Sequence, residues 1–273
     1  MTRSLTPAAY QAIHDFLEGR VGIRLGPGKE YLVVSRLTGL LPSFGLRGFS
    51  DLADHLGDFA AARLQTAVVD AMTTNETFWF RDHGHFRTLI EGIVSKCRSS
   101  DLRIWSAAAS TGQEAYTAAI CLQDALREGR LDRRLRYQIT GTDISPSALQ
   151  QARRGVYCGI AASRGLSDQQ RQRYFREHEG CVELLPQYRE GVTFHEFNLL
   201  KPFDVLGRFD VVFCRNVLIY FSQERRRDIV TRIARAMKPG GHLFLGSTES
   251  MRGNEDLFEM RFLDGALVYR VRC

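Results

Sequence analysis

The sequence predicts an α/β fold: a Rossmann-like doubly wound sheet with a C-terminal antiparallel hairpin, a small antiparallel β insertion and an N-terminal all-helical domain. Three observations carry this. Residues 1–75 place their apolar side chains at helical spacing only, whereas residues 102–246 alternate short β-like runs with helical stretches. Two further β runs, 258–262 and 266–271, flank Asp264-Gly265, a strong two-residue hairpin turn. With 273 residues and 44% hydrophobic content, the chain can bury a full core and fill more than one domain. Residues 1–75 are assigned to the helical domain and 76–273 to the α/β domain.

In the helical part, Thr6-Pro7 opens a helix over 7–19, with Pro at the first helical position and Tyr10, Ile13, Phe16 and Leu17 in phase. A second helix runs from about 29 to 41 and stops before Pro42. A third begins at Ser50-Asp51 with Leu52, Leu56 and Phe59 in phase, and a fourth covers 63–72. The basic residues Arg20, Arg24, Lys29, Arg36 and Arg47 read either as a solvated surface or as a docking face for an acidic partner.

The run TTNETFWFR, 73–81, joins the two parts. Three consecutive aromatics favour a packed core, and a Thr/Asn cluster favours caps and turns; at a domain boundary the same polar run also suits the lining of a cleft. His83 and His85 form an H-x-H pair without a carboxylate or thiol set at ligand spacing, so no metal is expected.

A helix over 86–97 leads to a strand at 102–107, a small-residue turn at 108–112 and a helix at 113–128. A strand–tight turn–helix unit in an open α/β sheet places ligands at the strand's carboxyl end, where helix N-terminal N–H groups are free. The next strand, 137–142, ends in Asp143, followed by a helix from Ser145-Pro146 to about 154. An acid at that strand end suits the two hydroxyls of a ribose, or simply flanks the helix. Another helix starts at 166–168 and runs through 175. Runs 181–185 and 192–197, separated by Pro186 and Gly191, are expected to form a small β appendage at about 178–193. A strand at 209–214 precedes a helix capped by Ser222, with Ile229, Ile233 and Met237 on one face, and a strand at 242–246.

Composition excludes several classes. There is no run of 18 or more apolar residues and no signal-peptide core, so a cytoplasmic protein without membrane insertion is expected. The six cysteines, Cys97, Cys121, Cys158, Cys181, Cys214 and Cys273, lack any C-x-x-C, and neither disulfides nor structural zinc is expected. The net charge of +6 and pI near 9.1 permit an acidic partner without naming one.

Two cofactor classes fit the sheet. A dinucleotide site calls for G-x-G-x-x-G to seat a pyrophosphate, but the turn here, SAAASTGQE, has one Gly and places Glu114 at the helix start. An acid there repels phosphate and suits a cationic or hydroxyl-bearing ligand, which favours S-adenosylmethionine over NAD.

The motifs TTNETFWFR, WSAAASTGQEAY, TDIS, FNLL and CRNVLIYF, continued by LFLGSTES, occur in order along nearly the whole chain. Together they resemble the CheR-type chemoreceptor methyltransferases. The resemblance implies S-adenosylmethionine-dependent methylation of glutamate side chains on the cytoplasmic helices of bacterial chemoreceptors, in chemotaxis adaptation. It implies cofactor contacts at Asn75, Thr77, Arg81, Glu114, Asp143, Asn198, Leu199, Arg215 and Asn216, and receptor docking by the basic helical domain; from the chemistry of the transfer, Arg81 and Tyr220 are expected to lie near the acceptor carboxylate and position it. No nucleic acid and no resident metal are expected, and a monomer is. The stretch REHEGC, 176–181, carries one Gly where members that tether to a receptor's C-terminal peptide carry Gly-x-Gly, which speaks against tethering. The alternatives are a methyltransferase with another acceptor and a non-catalytic cofactor-binding interaction module.

Overall fold

The computed structural model describes residues 4–97, 99–251 and 253–272; Cys273 and the side chain of Phe59, both named above, lie outside the described residues. The chain divides into two compact units. One comprises the described residues through Thr74 together with Tyr220–Arg226, and the other comprises Asn75–Ile219 with the remainder after Arg227.

The first unit contains α1 (Pro7–Val21), α2 (Glu30–Leu37), α3 (Leu40–Ser43), α4 (Phe49–Leu56) and α5 (Ala62–Met72). In α1 the Thr6 hydroxyl accepts from the Ala9 N–H, and Gly22, at φ 78°, closes the helix in the left-handed conformation. Ile13, Leu17, Val33, Leu37, Leu41, Leu52 and Val68 are fully buried. The single helix expected over 29–41 is two, broken at Thr38-Gly39. Pro42 sits inside the first turn of α3, where its missing N–H costs nothing. Arg36 is occupied within this unit: its guanidinium donates to the carbonyls of Met72 and Thr73 and to the Thr74 hydroxyl, closing the end of α5. Arg20, Arg24, Lys29 and Arg47 are exposed.

The second unit starts with α6 (His83–Arg87), which continues as a π-helical turn, Thr88–Ile93, and a 3-10 turn, Val94–Lys96, in place of the one helix expected over 86–97. Then come β1 (Asp101–Ala107), α7 (Gln113–Arg127), β2 (Arg136–Asp143), α8 (Pro146–Arg154), β3 (Val156–Cys158) and α9 (Asp168–Tyr174). These are followed by β4 (Phe175–His178), β5 (Cys181–Leu184), β6 (Val192–Glu196) and β7 (Phe209–Cys214). Helix α10 (Gln223–Arg235) begins in the first unit's segment, and β8 (Met237–Leu245), β9 (Phe258–Leu263) and β10 (Ala266–Val271) complete the chain.

The main sheet has the order β6-β2-β1-β7-β8-β10-β9. Strands β6, β2, β1, β7 and β8 are parallel, and β10 and β9 are antiparallel additions at one edge. The winding reverses between β1 and β7, so the crevice at their carboxyl ends is the switch point where α/β sheets take ligands. The doubly wound sheet with its antiparallel edge is therefore as expected.

Four expectations are corrected. Residues 192–196 do not belong to the β appendage; β6 pairs in parallel with β2, because its Phe194 packs edge-on to Tyr116 beside the sheet. The appendage is the three-stranded sheet β3-β5-β4, and lies at 156–184 rather than 178–193. Met237 opens β8 and does not lie in the preceding helix; residues 238–241 bulge out of register opposite Asp210, whose carboxylate accepts from Lys238 Nζ at 2.7 Å. Finally, Cys158 and Cys181 form a disulfide. They are 23 residues apart in sequence, but antiparallel pairing of β3 with β5 sets them directly opposite, with Cα atoms 4.1 Å apart.

Candidate functional site

The site is built from the carboxyl ends of parallel strands. After β1 the chain turns through Ala108, Ala109, Ser110, Thr111 and Gly112, with φ of 59° at Ala108, 51° at Ser110 and 94° at Gly112. Two non-glycine residues in the left-handed region cost about 1 kcal/mol each, so neighbours must hold the turn. Ser110 is held twice. Its N–H donates to Asp143 Oδ2 at 2.8 Å, and its hydroxyl donates to the Asn75 carbonyl at 2.9 Å.

Asp143, at the end of β2, is buried. Its Oδ1 accepts from the Ser145 N–H at 2.9 Å, and the Ser145 hydroxyl caps α8 and accepts from Asn75 Nδ2 at 3.1 Å. Asn75, Ser110, Asp143 and Ser145 thus close a ring of hydrogen bonds joining Asn75 to the ends of β1 and β2. A carboxylate oxygen accepts more than one hydrogen bond, so these contacts are compatible with hydroxyl ligands at the same group.

A second cluster lies where α7 starts. Glu114 Oε1 accepts from Ser106 Oγ at 2.7 Å, and Oε2 accepts from Arg215 Nη1 at 2.8 Å. Arg215 Nη2 donates to Asp82 Oδ2 at 2.6 Å and to the Arg81 carbonyl at 2.8 Å. The Arg215 side chain is 2% exposed. Two carboxylates hydrogen-bonded to one guanidinium leave that trio one negative charge in excess, with the Arg81 charge also acting on Asp82, which accords with the polarity inferred from Glu114. Glu114 is not a lone acid, however; Arg215 neutralises much of its field. Burial raises the Asp82 carboxyl, but the Arg215 hydrogen bond and charge outweigh it and hold the carboxyl below its ordinary range. Burial, with the Arg215 charge in support and Asp82 opposing, pushes the nearby His85 imidazole down to about 4, so it is neutral at pH 7.

A third cluster shapes the end of β7. Glu249 accepts from the N–H groups of Asn216 at 2.7 Å, Leu218 at 2.8 Å and Gly246 at 2.8 Å, and Asn216 itself takes φ 58°. Near the end of β6, Asn198 Oδ1 accepts from Leu200 N–H, Leu199 is buried, and Phe197 N–H donates to the Asp143 carbonyl.

Of the residues expected at the site, Asn75 and Thr77 line a cavity of about 460 Å³ with Glu76, Thr111, Gln113 and Ser147, among others. Glu114, Asp143, Asn198, Leu199, Arg215 and Asn216 gather at the strand ends and do not line that cavity. The Arg81 guanidinium sits 5.3 Å from the Phe78 ring centroid, and Tyr220 groups with the first unit, its carbonyl accepting from Arg24 N–H. Trp79 is core: fully buried, it donates from its indole to the Ala161 carbonyl and packs edge-on to Tyr157 and Phe175.

Sequence reasoning missed Asp82, Ser106, Ser110, Ser145 and Glu249 as parts of the site. Ser110 and Ser106 lie within the singled-out SAAASTGQE turn, and Glu249 lies within LFLGSTES; what was missing was the partner each binds. The donor set fits an adenosyl cofactor. Carboxylates, amides and hydroxyls converge on the switch point, Arg215 Nε is a buried donor without a partner among the described residues, and no phosphate-type glycine loop is present.

The family model "CheR methyltransferase, all-alpha domain" matches residues 8–73, and "CheR methyltransferase, SAM binding domain" matches residues 75–266. The chain is 40% identical over 274 residues to Chemotaxis protein methyltransferase 1 of Pseudomonas aeruginosa, covering 98% of this chain and 100% of that protein. It is 39% identical over 268 residues to Chemotaxis protein methyltransferase Cher2 of Pseudomonas putida, covering 96% and 98%. Against the Escherichia coli chemotaxis protein methyltransferase the identity is 36%, covering 97% and 91%.

Proposed function

The chain belongs to the CheR methyltransferase family, and we propose that it transfers the methyl group of S-adenosylmethionine to glutamate side chains on the cytoplasmic helices of bacterial chemoreceptors. The products are glutamate methyl esters and S-adenosylhomocysteine.

The cofactor supplies a methyl group on a sulfonium centre. A glutamate side chain has an ordinary pKa of about 4.3, so it is ionised at neutral pH and its oxygen bonds to the methyl carbon without a general base, the C–S pair staying on sulfur. The protein's task is alignment of oxygen, carbon and sulfur in a dry site, worth roughly 7–11 kcal/mol in well-oriented systems. Asp143 accepts from the ribose hydroxyls, and the Asp82–Arg215–Glu114 cluster faces the cationic half of the cofactor. Asn75 and Thr77 close over it, Asn198, Leu199 and Asn216 complete its contacts, and Arg81 and Tyr220 position the acceptor. The observation that carries this reading is the net-negative hydrogen-bonded cluster around the buried Arg215 at the switch point, which suits a sulfonium and not a pyrophosphate.

The exposed Arg20, Arg24, Lys29 and Arg47 form the receptor-docking face, without Arg36. The connection between β4 and β5 is only Glu179-Gly180, which supports a protein that does not tether to a receptor tail. Titration calorimetry tests the cofactor assignment: Asp143→Ala weakens S-adenosylmethionine roughly ten- to hundredfold, and unaltered affinity removes it. Arg81→Ala and Tyr220→Phe lower kcat; full turnover in both removes them from acceptor positioning.

A further inference from the structure

Strand β9 is one of the two edge strands of the main sheet, β6 being the other. Its hairpin with β10 turns on Asp264 and Gly265, at φ 45° and 88°, and pairs Leu263 with Ala266, Arg261 with Val268 and Glu259 with Arg270. A two-residue turn makes Leu263 and Ala266 a hydrogen-bonded pair, and alternation makes Arg261 and Glu259 the next ones. The main-chain N–H and C=O groups of Phe258, Met260 and Phe262 therefore point outward. Among the described residues none of the main-chain groups of Met260 and Phe262 has an outward partner, and the Phe258 carbonyl accepts only from Arg272 Nε, at 3.3 Å.

The same strand exposes apolar side chains. Met260 is 67% exposed and Phe262 75%, and Leu267, directly across from Phe262, is 38% exposed. Edge strands ordinarily carry charges, prolines or bulges that deter pairing. Here the two charges of β9, Glu259 and Arg261, pair with each other within the strand at 2.8 Å, and the hairpin is held in place, with Arg87 donating to the Asp264 carbonyl and Thr88 to that of Leu263.

We propose that β9 is a self-association surface and that its occupant is β9 of a second copy, paired antiparallel about a two-fold axis at Met260. A two-fold interface is isologous, so each residue must tolerate what the symmetry sets opposite it. Centred on Met260, the outward groups of Met260 face each other and those of Phe258 face Phe262, giving about six main-chain hydrogen bonds. Glu259 then lies opposite Arg261 of the copy, twice, at non-hydrogen-bonded positions where Cα atoms come to about 4.5 Å and opposite charges attract. Sliding by two residues in one direction sets Glu259 opposite Glu259; sliding in the other sets Arg261 opposite Arg261. The strand's charge pattern thus selects one register, and that register also joins the Met260 and Phe262 side chains of both copies into one apolar strip.

Sedimentation equilibrium of the purified full chain, from about 1 to 200 µM, tests this. The parent chain is expected to show a monomer–dimer equilibrium. Arg261→Glu creates two like-charge pairs and weakens it by about tenfold or more, while Glu259→Arg with Arg261→Glu restores it to within about threefold. Met260→Lys, at an exposed position, sets two ammonium groups together on the axis and leaves monomer. All variants keep the parent's S-adenosylmethionine affinity, which separates this result from any failure of the cofactor site. A parent that stays monomeric throughout, a dimer indifferent to these substitutions, or a charge swap that fails to restore association overturns the proposal.

Discussion

Arg215 shows how one planar side chain sets the site. Its fork meets Glu114 on one nitrogen and Asp82 and the Arg81 carbonyl on the other. A lysine reaches only one of these as a point charge. Arg215→Ala leaves two acids without their cation and lowers stability by about 3–5 kcal/mol, measured by denaturant unfolding; Arg215→Lys recovers part of that stability but not the cofactor affinity. Burial gives His85 its pH dependence. Its folded-state pKa of about 4 lies below the ordinary value of 6.5, so its contribution to stability is complete above pH 6.5 and is lost as pH falls toward 4. His242, pushed to about 4 by burial and by Arg270 and Arg261, acts in the same window. The fall in Tm between pH 7 and 5 is therefore about halved in His85→Gln, and an unchanged slope contradicts the assignment. At this scale the sequence displayed Glu114, Asp143 and Arg215 as motif residues. The Glu114–Arg215 pair was illegible, since 101 residues separate the two and only the adjacency of β1 and β7 unites them.

Among elements, those with local signals were legible and those fixed by distant partners were not. Thr6-Pro7, Ser145-Pro146 and Asp264-Gly265 each mark a boundary by their own chemistry, and α1, α8 and the β9–β10 hairpin form there. Strand β6 carries no sign of whether it joins the main sheet or an insertion; its register with β2 decides that. The disulfide depends on the same kind of information, because β3 and β5 must pair before Cys158 meets Cys181. Closing a 23-residue separation constrains the unfolded chain by roughly 3 kcal/mol, so Cys158→Ser with Cys181→Ser lowers the stability of the oxidised protein by up to that amount and makes it insensitive to dithiothreitol. Equal unfolding midpoints for the parent with and without reductant would show that the pair contributes nothing.

The whole molecule combines a helical unit, the described residues through Thr74 with Tyr220–Arg226 returning to it, and a methyltransferase sheet. That return was not visible in the sequence, where CRNVLIYF reads as one strand-end motif. Among the described residues no helix is long and apolar enough to cross a membrane. The acceptor is the claim that reaches furthest beyond the chain itself. Incubation of the purified protein with methyl-tritiated S-adenosylmethionine and receptor-containing membranes, followed by mild base, measures it directly. The account predicts label on the receptor that base releases as volatile methanol, as a glutamate methyl ester requires. Label that resists base, or no transfer to any receptor by a chain that still binds the cofactor, would contradict it.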